Sequence, residues 1–449
     1  MEQQAVKLFD WVDFMRNGYS SKLTDDSARP QVYALCANNY PFALSGRTDF
    51  KEAFDFNGRV RKISGNRRAE FGLPAGEGVS LVEMSDDCFA IPHLRAAKEH
   101  ISQGRILEEL NYSARENGVR ICAVGTGAEL SYAHVKEEGQ AVFDRPPKAR
   151  KYWLDKIFDA WGEWALALGV QVYTGKRPAV FANEKVFTDQ VKLKNLSNYI
   201  KEVGGIDVSV PSFHPQEDLT NPDLEINGAE ALNLGLSLYL NQKTAPRGLT
   251  QLTEQMQYSG MEPCTVDQLR RANVILSRMM RFGDMLDHGH VGVRGTRTST
   301  DPRDYDVREF VHACLGPLVF AHHNGIGYNG KKAATPKVLD IDQQIRQGIL
   351  PPMIAGKPET FMPFPERVSD INDAMLELAS RPEIKVVVLS PEPKCDASTN
   401  LEELAGEVAE AQLITASKIL GRGFVESEVM PMVFVTKGYK KQFDNFLSN

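Results

Sequence analysis

Apolar residues at helical spacing account for most of the elements that this sequence predicts. Between residues 6 and 15 they recur every three to four positions, as on one face of a helix, and Gly18 ends the run. Three tryptophans between residues 153 and 164 extend a similar stripe, which is typical of a packed core. The pattern predicts helices over 6–15, 93–103, 105–116, 149–168, 189–203, 229–241, 249–258, 265–287 and 401–420.

Short continuous apolar runs predict a smaller number of strands. They occur at 79–84, in VRICAV after Gly118, in KVVVL before Ser390 and in MPMVFV near residue 433. The predicted fold class is therefore mainly α (α+β overall), with two helical lobes and a small C-terminal α/β unit. The predicted domains are an N-terminal lobe over 1–205, a polar and proline-rich connection over 206–228, a helical lobe over 229–380 and an α/β unit over 381–449.

Composition places the chain among ordinary globular proteins. Of its 449 residues, 42% are hydrophobic and 25% are charged, which is enough for two or three cores. The six cysteines never form a C-x-x-C pair, which argues against a disulfide framework and a zinc ribbon. No apolar run approaches the roughly 20 residues that span a bilayer, and the first residues do not match a signal peptide. We expect a protein of a reducing intracellular compartment with no membrane contact.

Charge is segregated along the chain. The net charge of −7 alone disfavours a polyanionic partner, yet the segments 57–72 and 145–151 are strongly basic, and acids are gathered on the predicted helix over 401–420. The capping box Thr265 to Gln268 opens a helix whose arginines share one face. That face is either an ordinary solvated surface or a contact for a polyanion. Arginine suits a polyanion because its planar guanidinium group can donate two hydrogen bonds to a phosphate.

The basic segments together predict a binding groove for single-stranded RNA or another polyanion. Such a groove needs cations and a few aromatic side chains, here supplied by Phe71, Tyr152 or Trp153, and Tyr328. The predicted contacts are Arg59, Arg61, Lys62, Arg67, Arg68, Lys148, Arg150, Lys151, Arg270, Arg271, Arg278, Arg281, Lys331 and Lys332.

Neither glycine-rich segment completes a nucleotide-binding motif. In HHNGIGYNGKK, Lys331 stands where a phosphate-binding loop has its lysine, but Lys332 replaces the hydroxyl residue and Pro336 interrupts the expected helix. A solvated glycine turn is the better interpretation. In VGTGA, Leu130 stands at the third glycine position of the dinucleotide fingerprint, which favours a strand-to-helix turn.

An acid and histidine region over 284–306 supports a rival, enzymatic hypothesis. Asp284, Asp287, His288 and His290 could ligate a metal, the first three at the spacing of one helix face, but a helix end capped by Gly289 is the better explanation of His288. GVRGTRTSTDPRDYDV resembles the nucleotidyltransferase pattern, in which Asp304 and Asp306 would bind magnesium. It departs from that family at Val293 and in the helix predicted afterwards.

The leading hypothesis is a non-enzymatic nucleocapsid or coat-type protein that packages RNA in a self-associating assembly. No complete catalytic motif is present, and no cofactor or metal is expected. Its location would be the cytoplasm, or a virion. The alternative is an intracellular enzyme that acts on a phosphorylated or nucleotide substrate and uses the region from Asp284 to Asp306.

Overall fold

Eight parallel strands close into a barrel in the computed structural model of this chain. The structure describes residues 31–38, 50–85, 109, 112–126, 172–175, 250–254, 265–279, 282–288, 307–316, 318–322, 325–326, 361–362, 373–391 and 400–448. Each barrel strand pairs in parallel with the next, and the eighth pairs with the first through Val386 and Val32. The barrel strands are β1 (Val32–Asn38), β2 (Leu81–Ser85), β3 (Arg120–Thr126), β4 (Val172–Gly175), β5 (Thr250–Glu254), β6 (Phe282–Asp287), β7 (Leu318–His322) and β10 (Val386–Ser390).

The predicted pair of helical lobes is therefore wrong, and the chain has an α/β fold. Barrel strands come from the segments 1–205, 229–380 and 381–449 alike. A barrel strand is covered by helices outside and by other strands inside, so it is apolar on both faces and lacks the alternation of a half-exposed strand. Short apolar runs of this kind cannot be told from buried helix by periodicity. The predicted helix over 249–258 is the clearest case, because residues 250–254 form β5.

Helices connect the strands and pack on the outside of the barrel. Residues 112–116 are also helical and lead through Gly118, at a φ of 64°, into β3. The helix after β1 packs against the helix after β10, as expected for neighbours around a closed barrel. In the described ranges, no helix has the length and apolarity needed to cross a membrane. The helices are α1 (Phe50–Arg67), α2 (Val266–Met279), α3 (Val307–Ala313), α4 (Leu401–Gly421) and α5 (Lys440–Ser448), with 3-10 turns at Arg68–Phe71, Glu377–Ser380 and Lys437–Tyr439.

Two further pairs of strands lie outside the parallel ring. A short ribbon between β7 and β10 joins β8 (Gly325–Ile326) to β9 (Phe361–Met362). At the C-terminus, β11 (Phe424–Glu426) and β12 (Val433–Thr436) are antiparallel, and β12 pairs with residues 32–34 of β1. The rest of β1, residues 36–38, pairs with β2. The C-terminal strands thus fill the space between β1 and β2 at the amino end of the barrel.

The core has one layer inside the barrel and one between the barrel and its helices. On β1, Val32, Ala34 and Cys36 belong to the inner layer, while Tyr33 and Leu35 belong to the outer one. This alternation is the period of two expected of a strand. It assigns each later position of a barrel strand to the inside or the outside, and so locates the polar residues described next.

Candidate active site

Polar side chains take over the inside of the barrel at the carboxyl ends of its strands. Continuing the alternation of each strand places Asn38, Glu83, Asp287, His322 and Ser390 at inward positions, one each from β1, β2, β6, β7 and β10. All five are buried, with at most 3% of the residue exposed. In barrels of this architecture the carboxyl ends of the strands carry the catalytic residues. The five residues therefore form a candidate active site, which we call the polar layer.

His322 occupies the centre of the polar layer, with a carboxylate at each ring nitrogen. Its Nε2 lies 2.9 Å from Oε2 of Glu83, and its Nδ1 lies 3.4 Å from Oδ2 of Asp287. A neutral imidazole carries only one N–H and would turn a lone pair towards one of the two carboxylates. A protonated imidazole can donate from both nitrogens. The arrangement accordingly suits a histidine that gains and loses a proton between two acids.

Asn38 fixes the position of Glu83. The two residues are register partners on β1 and β2, and Nδ2 of Asn38 donates to Oε2 of Glu83 at 3.0 Å. The same nitrogen lies 3.3 Å from Nε2 of His322, because both groups contact one carboxylate oxygen. A carboxylate that accepts two hydrogen bonds in a buried site is held in one orientation. Asn38 on β1 and His322 on β7 thus both fix the orientation of Glu83.

His288 directly follows β6 and is buried beside the polar layer. Neither of its ring nitrogens has a hydrogen-bond partner among the described residues. Burial lowers the pKa of His288 to about 4; Asp287 opposes this shift, and His322 adds to it. At neutral pH the ring is therefore uncharged, with one N–H and one lone pair available to a ligand. Ser390 resembles it, since its buried Oγ also has no partner within the described ranges.

Asp284 belongs to the outer layer and holds the fold together. It accepts hydrogen bonds from the backbone N–H groups of Leu315 at 2.8 Å and Gly316 at 2.6 Å, and from Nδ2 of Asn273 at 2.5 Å. Burial raises its pKa to about 6, although these three donors act in the opposite direction. Asp284 therefore connects β6 and α2 to the segment before β7, and takes no part in the polar layer.

The helical spacing assigned to Asp284, Asp287 and His288 is wrong. The helix that begins at the capping box ends at Met279, and residues 282–287 form a strand. Residues three apart on a strand point to opposite faces, so Asp284 and Asp287 are separated. The capping box itself is confirmed, because Thr265 and Gln268 each accept a hydrogen bond from the other's backbone N–H. Gly289, His290, Asp304 and Asp306 lie outside the described residues.

The predicted nucleic-acid contacts on α1 and in the following turn are paired with carboxylates. Arg59 pairs with Glu402, Arg61 with Glu77, and Arg67 with Glu70 and Glu410. Arg68 is buried, donates to the carbonyl oxygens of Pro74 and Glu77, and forms an ion pair with Glu426. Lys62 is exposed on the same helix. The four arginines thus connect α1 and the turn that follows it to neighbouring elements.

Among the remaining predicted contacts, Arg270 and Arg271 do not share one groove with these. Arg270 is exposed and pairs with Asp267, whereas Arg271 is buried. Both lie on α2, which follows β5 and is therefore on the opposite side of the barrel from α1, which follows β1. For Arg278 the structure describes the backbone alone. Lys148, Arg150, Lys151, Arg281, Lys331 and Lys332 lie outside the described residues.

Both glycine-rich segments touch the barrel. Gly325 and Ile326 form β8, and the residues before the glycines, PLVFAHH, contain β7. In VGTGA, residues 124–126 are the end of β3. The other residues of the two segments lie outside the described ranges. His322, the first residue of HHNGIGYNGKK, belongs to the polar layer.

Similarity to known proteins is confined to structure. No protein-family model matches the chain, and no curated protein sequence matches it. Solved structures that it is similar to include a D-psicose 3-epimerase with D-tagatose from Clostridium cellulolyticum (11% identity, TM-score 0.41), covering 87% of this chain and 98% of that one. An L-ribulose 3-epimerase gives 11% and 0.41, covering 87% and 97%. A xylose isomerase domain protein from Alicyclobacillus acidocaldarius gives 12% and 0.42, covering 86% and 99%.

At these identities and TM-scores the similarity says nothing about what this chain binds or converts. The RNA-packaging hypothesis is nevertheless wrong. It required a two-lobed helical protein with its cations collected in one groove, and the chain forms a parallel barrel with its described arginines on opposite sides. The virion as a location falls with the packaging hypothesis.

Three members of the polar layer were missed from the sequence. Asn38, Glu83 and Ser390 each follow a run of apolar residues, which is the available signal. A polar residue that ends a buried strand is a candidate for the carboxyl edge of a parallel sheet. The signal becomes usable only when the runs are recognised as parallel strands.

Proposed function

We propose that the protein is an enzyme that transfers a proton to and from a small polar substrate at the carboxyl ends of the barrel strands. The single observation that carries the proposal is the contact of 2.9 Å between Nε2 of His322 and Oε2 of Glu83, with Asp287 at the other ring nitrogen. A side chain that exchanges protons with a reacting group needs a second group that holds the proton in turn.

Glu83 and His322 supply such a pair. With the shared proton on Nε2 of His322, Glu83 is a carboxylate and can act as a base. With the proton moved across the contact to Oε2, Glu83 is an acid and His322 is neutral. Asp287, whose Oδ2 lies 3.4 Å from Nδ1, stabilises the charged ring in the first of these states by its negative charge. From the first state Glu83 can take a proton from a substrate C–H bond, which leaves the substrate as an enolate and the pair with two protons, and returning one proton to the substrate restores the first state.

Carboxylate and imidazole side chains are also ligands for divalent cations. In the portion of the chain that the structure describes, no three histidine, cysteine, aspartate or glutamate side chains are placed around one metal position. The steps given above use only groups that the polar layer contains.

Isotope exchange tests the proposal without knowledge of the natural product. The full-length protein is incubated in D₂O with small hydroxycarbonyl compounds, beginning with dihydroxyacetone, whose C–H bonds next to the carbonyl are acidic. Proton NMR then follows the loss of those signals. We expect exchange above the protein-free rate for the wild type, and a loss of at least about 100-fold in Glu83→Gln. Equal exchange in Glu83→Gln and wild type would refute the assignment.

Glu402→Gln is the matched control for that substitution. Glu402 is exposed on α4 and pairs with Arg59 on the outside of the barrel. It carries the same change of charge and shape, so its exchange rate should equal that of the wild type. A loss of activity in both variants would indicate a general effect of removing a carboxylate.

A further inference from the structure

Two buried side chains beside His322 have hydrogen-bonding atoms that the described protein does not use. Ser390 is in register with His322 on the neighbouring strand β10, and His322 is in register with Asp287, the residue before His288. His288 thus directly follows the strand on one side of His322, and Ser390 ends the strand on the other side. His288 is 2% exposed and Ser390 is fully buried. In the described ranges, the two ring nitrogens of His288 and the Oγ of Ser390 have no hydrogen-bond partner.

Burying a polar atom without a partner is unfavourable. Native proteins contain few such groups. Two at the carboxyl edge of one barrel, next to a histidine held by two acids, point to a bound molecule that completes their hydrogen bonds. Sites of function are where such costs are tolerated.

The charges of the polar layer define the kind of molecule. Glu83 and Asp287 both lie within 4 Å of His322, and an anionic group bound in the same place would be repelled by two carboxylates. Burial lowers the pKa of His288 to about 4, so at neutral pH this ring does not attract an anion. Its N–H and its lone pair, like the serine hydroxyl, suit an uncharged oxygen that both donates and accepts.

We infer that His288 and Ser390 contact the substrate and that they bind uncharged hydroxyl or carbonyl groups, not phosphate. The inference rests on the proposed function, whose site it shares. It assigns binding to these two residues and leaves proton transfer to Glu83 and His322. It also disfavours the phosphorylated or nucleotide substrate that the sequence suggested.

Ligand binding can be measured independently of catalysis. Saturation-transfer NMR on the full-length protein uses dihydroxyacetone as the uncharged probe and dihydroxyacetone phosphate as its charged counterpart. We expect a signal from dihydroxyacetone with the wild type, a signal at least about fivefold weaker with Ser390→Ala and His288→Leu, and a weaker signal from the phosphate ester. Undiminished binding in both variants, a stronger signal from the phosphate ester, or no signal from dihydroxyacetone overturns the inference.

Stability provides a second readout, with Ser64→Ala as the matched control. Ser64 is equally buried, but its Oγ donates to the carbonyl of Arg61 and accepts from the N–H of Val79, both at 3.0 Å. We expect Ser64→Ala to lower Tm by roughly 1–2 °C and Ser390→Ala to leave Tm unchanged or raise it. An equal loss in both variants would show that Ser390 has a structural partner and would contradict the inference.

The two proposals fail in different ways. Dihydroxyacetone that binds to the wild type and not to the His288 and Ser390 variants, but shows no isotope exchange, supports the binding role and contradicts the proton transfer. Exchange that is lost in Glu83→Gln, with binding unchanged in both of the other variants, contradicts the binding role alone.

Discussion

Asp287 and His322 face each other across two adjacent parallel strands at the same register position, with Oδ2 of the aspartate 3.4 Å from Nδ1 of the histidine. Each is the last residue of its strand, so the backbone of the barrel fixes their separation. The opposite side of the histidine meets Glu83 from β2. A closed barrel therefore brings together residues that are 35 and 239 positions apart in sequence.

Replacing His288 should change how stability depends on pH. The pKa of His288 is about 4 in the folded protein and near 6.5 when unfolded. Between pH 6.5 and pH 4 the His288 imidazole is protonated in the unfolded chain but not in the folded protein. Its contribution to the free energy of unfolding is therefore lost as the pH falls from 6.5 to 4. It amounts to an order of 3 kcal/mol.

Urea unfolding of the wild type and His288→Leu at pH 7 and pH 4.5 measures this contribution. Asp284, whose pKa is raised to about 6, acts in the opposite direction, since its contribution is present below pH 3.8 and lost as the pH rises through 6. Because both proteins keep Asp284, the difference between them isolates His288. We expect the variant to lose less stability on acidification, and parallel losses would contradict a neutral buried ring.

Asp284→Ala should destabilise the protein without acting on the polar layer. The substitution leaves two backbone N–H groups and the amide of Asn273 without their acceptor in a buried place. We expect a loss of about 3 kcal/mol or more in the free energy of unfolding, measured by urea titration. Isotope exchange, measured where the variant is still folded, should be unchanged. A loss of isotope exchange without a loss of stability would show that Asp284 acts on the polar layer.

Arg68→Met should be far more harmful than Arg67→Met. Arg68 is buried and paired with Glu426, so its removal leaves a carboxylate without its partner and costs about 3–5 kcal/mol. Arg67 is partly exposed, and its pairs with Glu70 and Glu410 contribute about 0–1 kcal/mol. Chemical unfolding of both variants measures the difference. Equal, small effects would contradict the structural role assigned to Arg68.

Local signals in the sequence predicted some individual elements, although they missed α1 and β1. The strands beginning near Leu81, Arg120 and Val386 and the helix over 401–421 are confirmed, as is the capping box at Thr265. These elements depend on short-range features such as caps, glycines and β-branched runs. The predicted helix over 6–15 and the tryptophan-rich helix over 149–168 lie outside the described residues.

The architecture and the site depended on contacts that are distant in sequence. Extending the α2 helix through residue 287 placed Asp284 and Asp287 on one face, and this single error hid both β6 and the polar layer. Clustering of positive charge was also misleading, because Arg68 pairs with Glu426 and Arg67 with Glu410, each more than 340 positions away. A sequence shows which charges are adjacent along the chain, but only the fold shows which are neutralised.

Whether Glu83 and His322 act together in proton transfer is measured by the isotope exchange rate of the double variant Glu83→Gln with His322→Asn. This rate is compared with that of each single variant. Groups that act as one unit in proton transfer are non-additive, since removing either disables both. We therefore expect the double variant to exchange dihydroxyacetone protons at about the rate of the slower single variant. Independent losses that multiply in the double variant, or exchange at the wild-type rate, would contradict it.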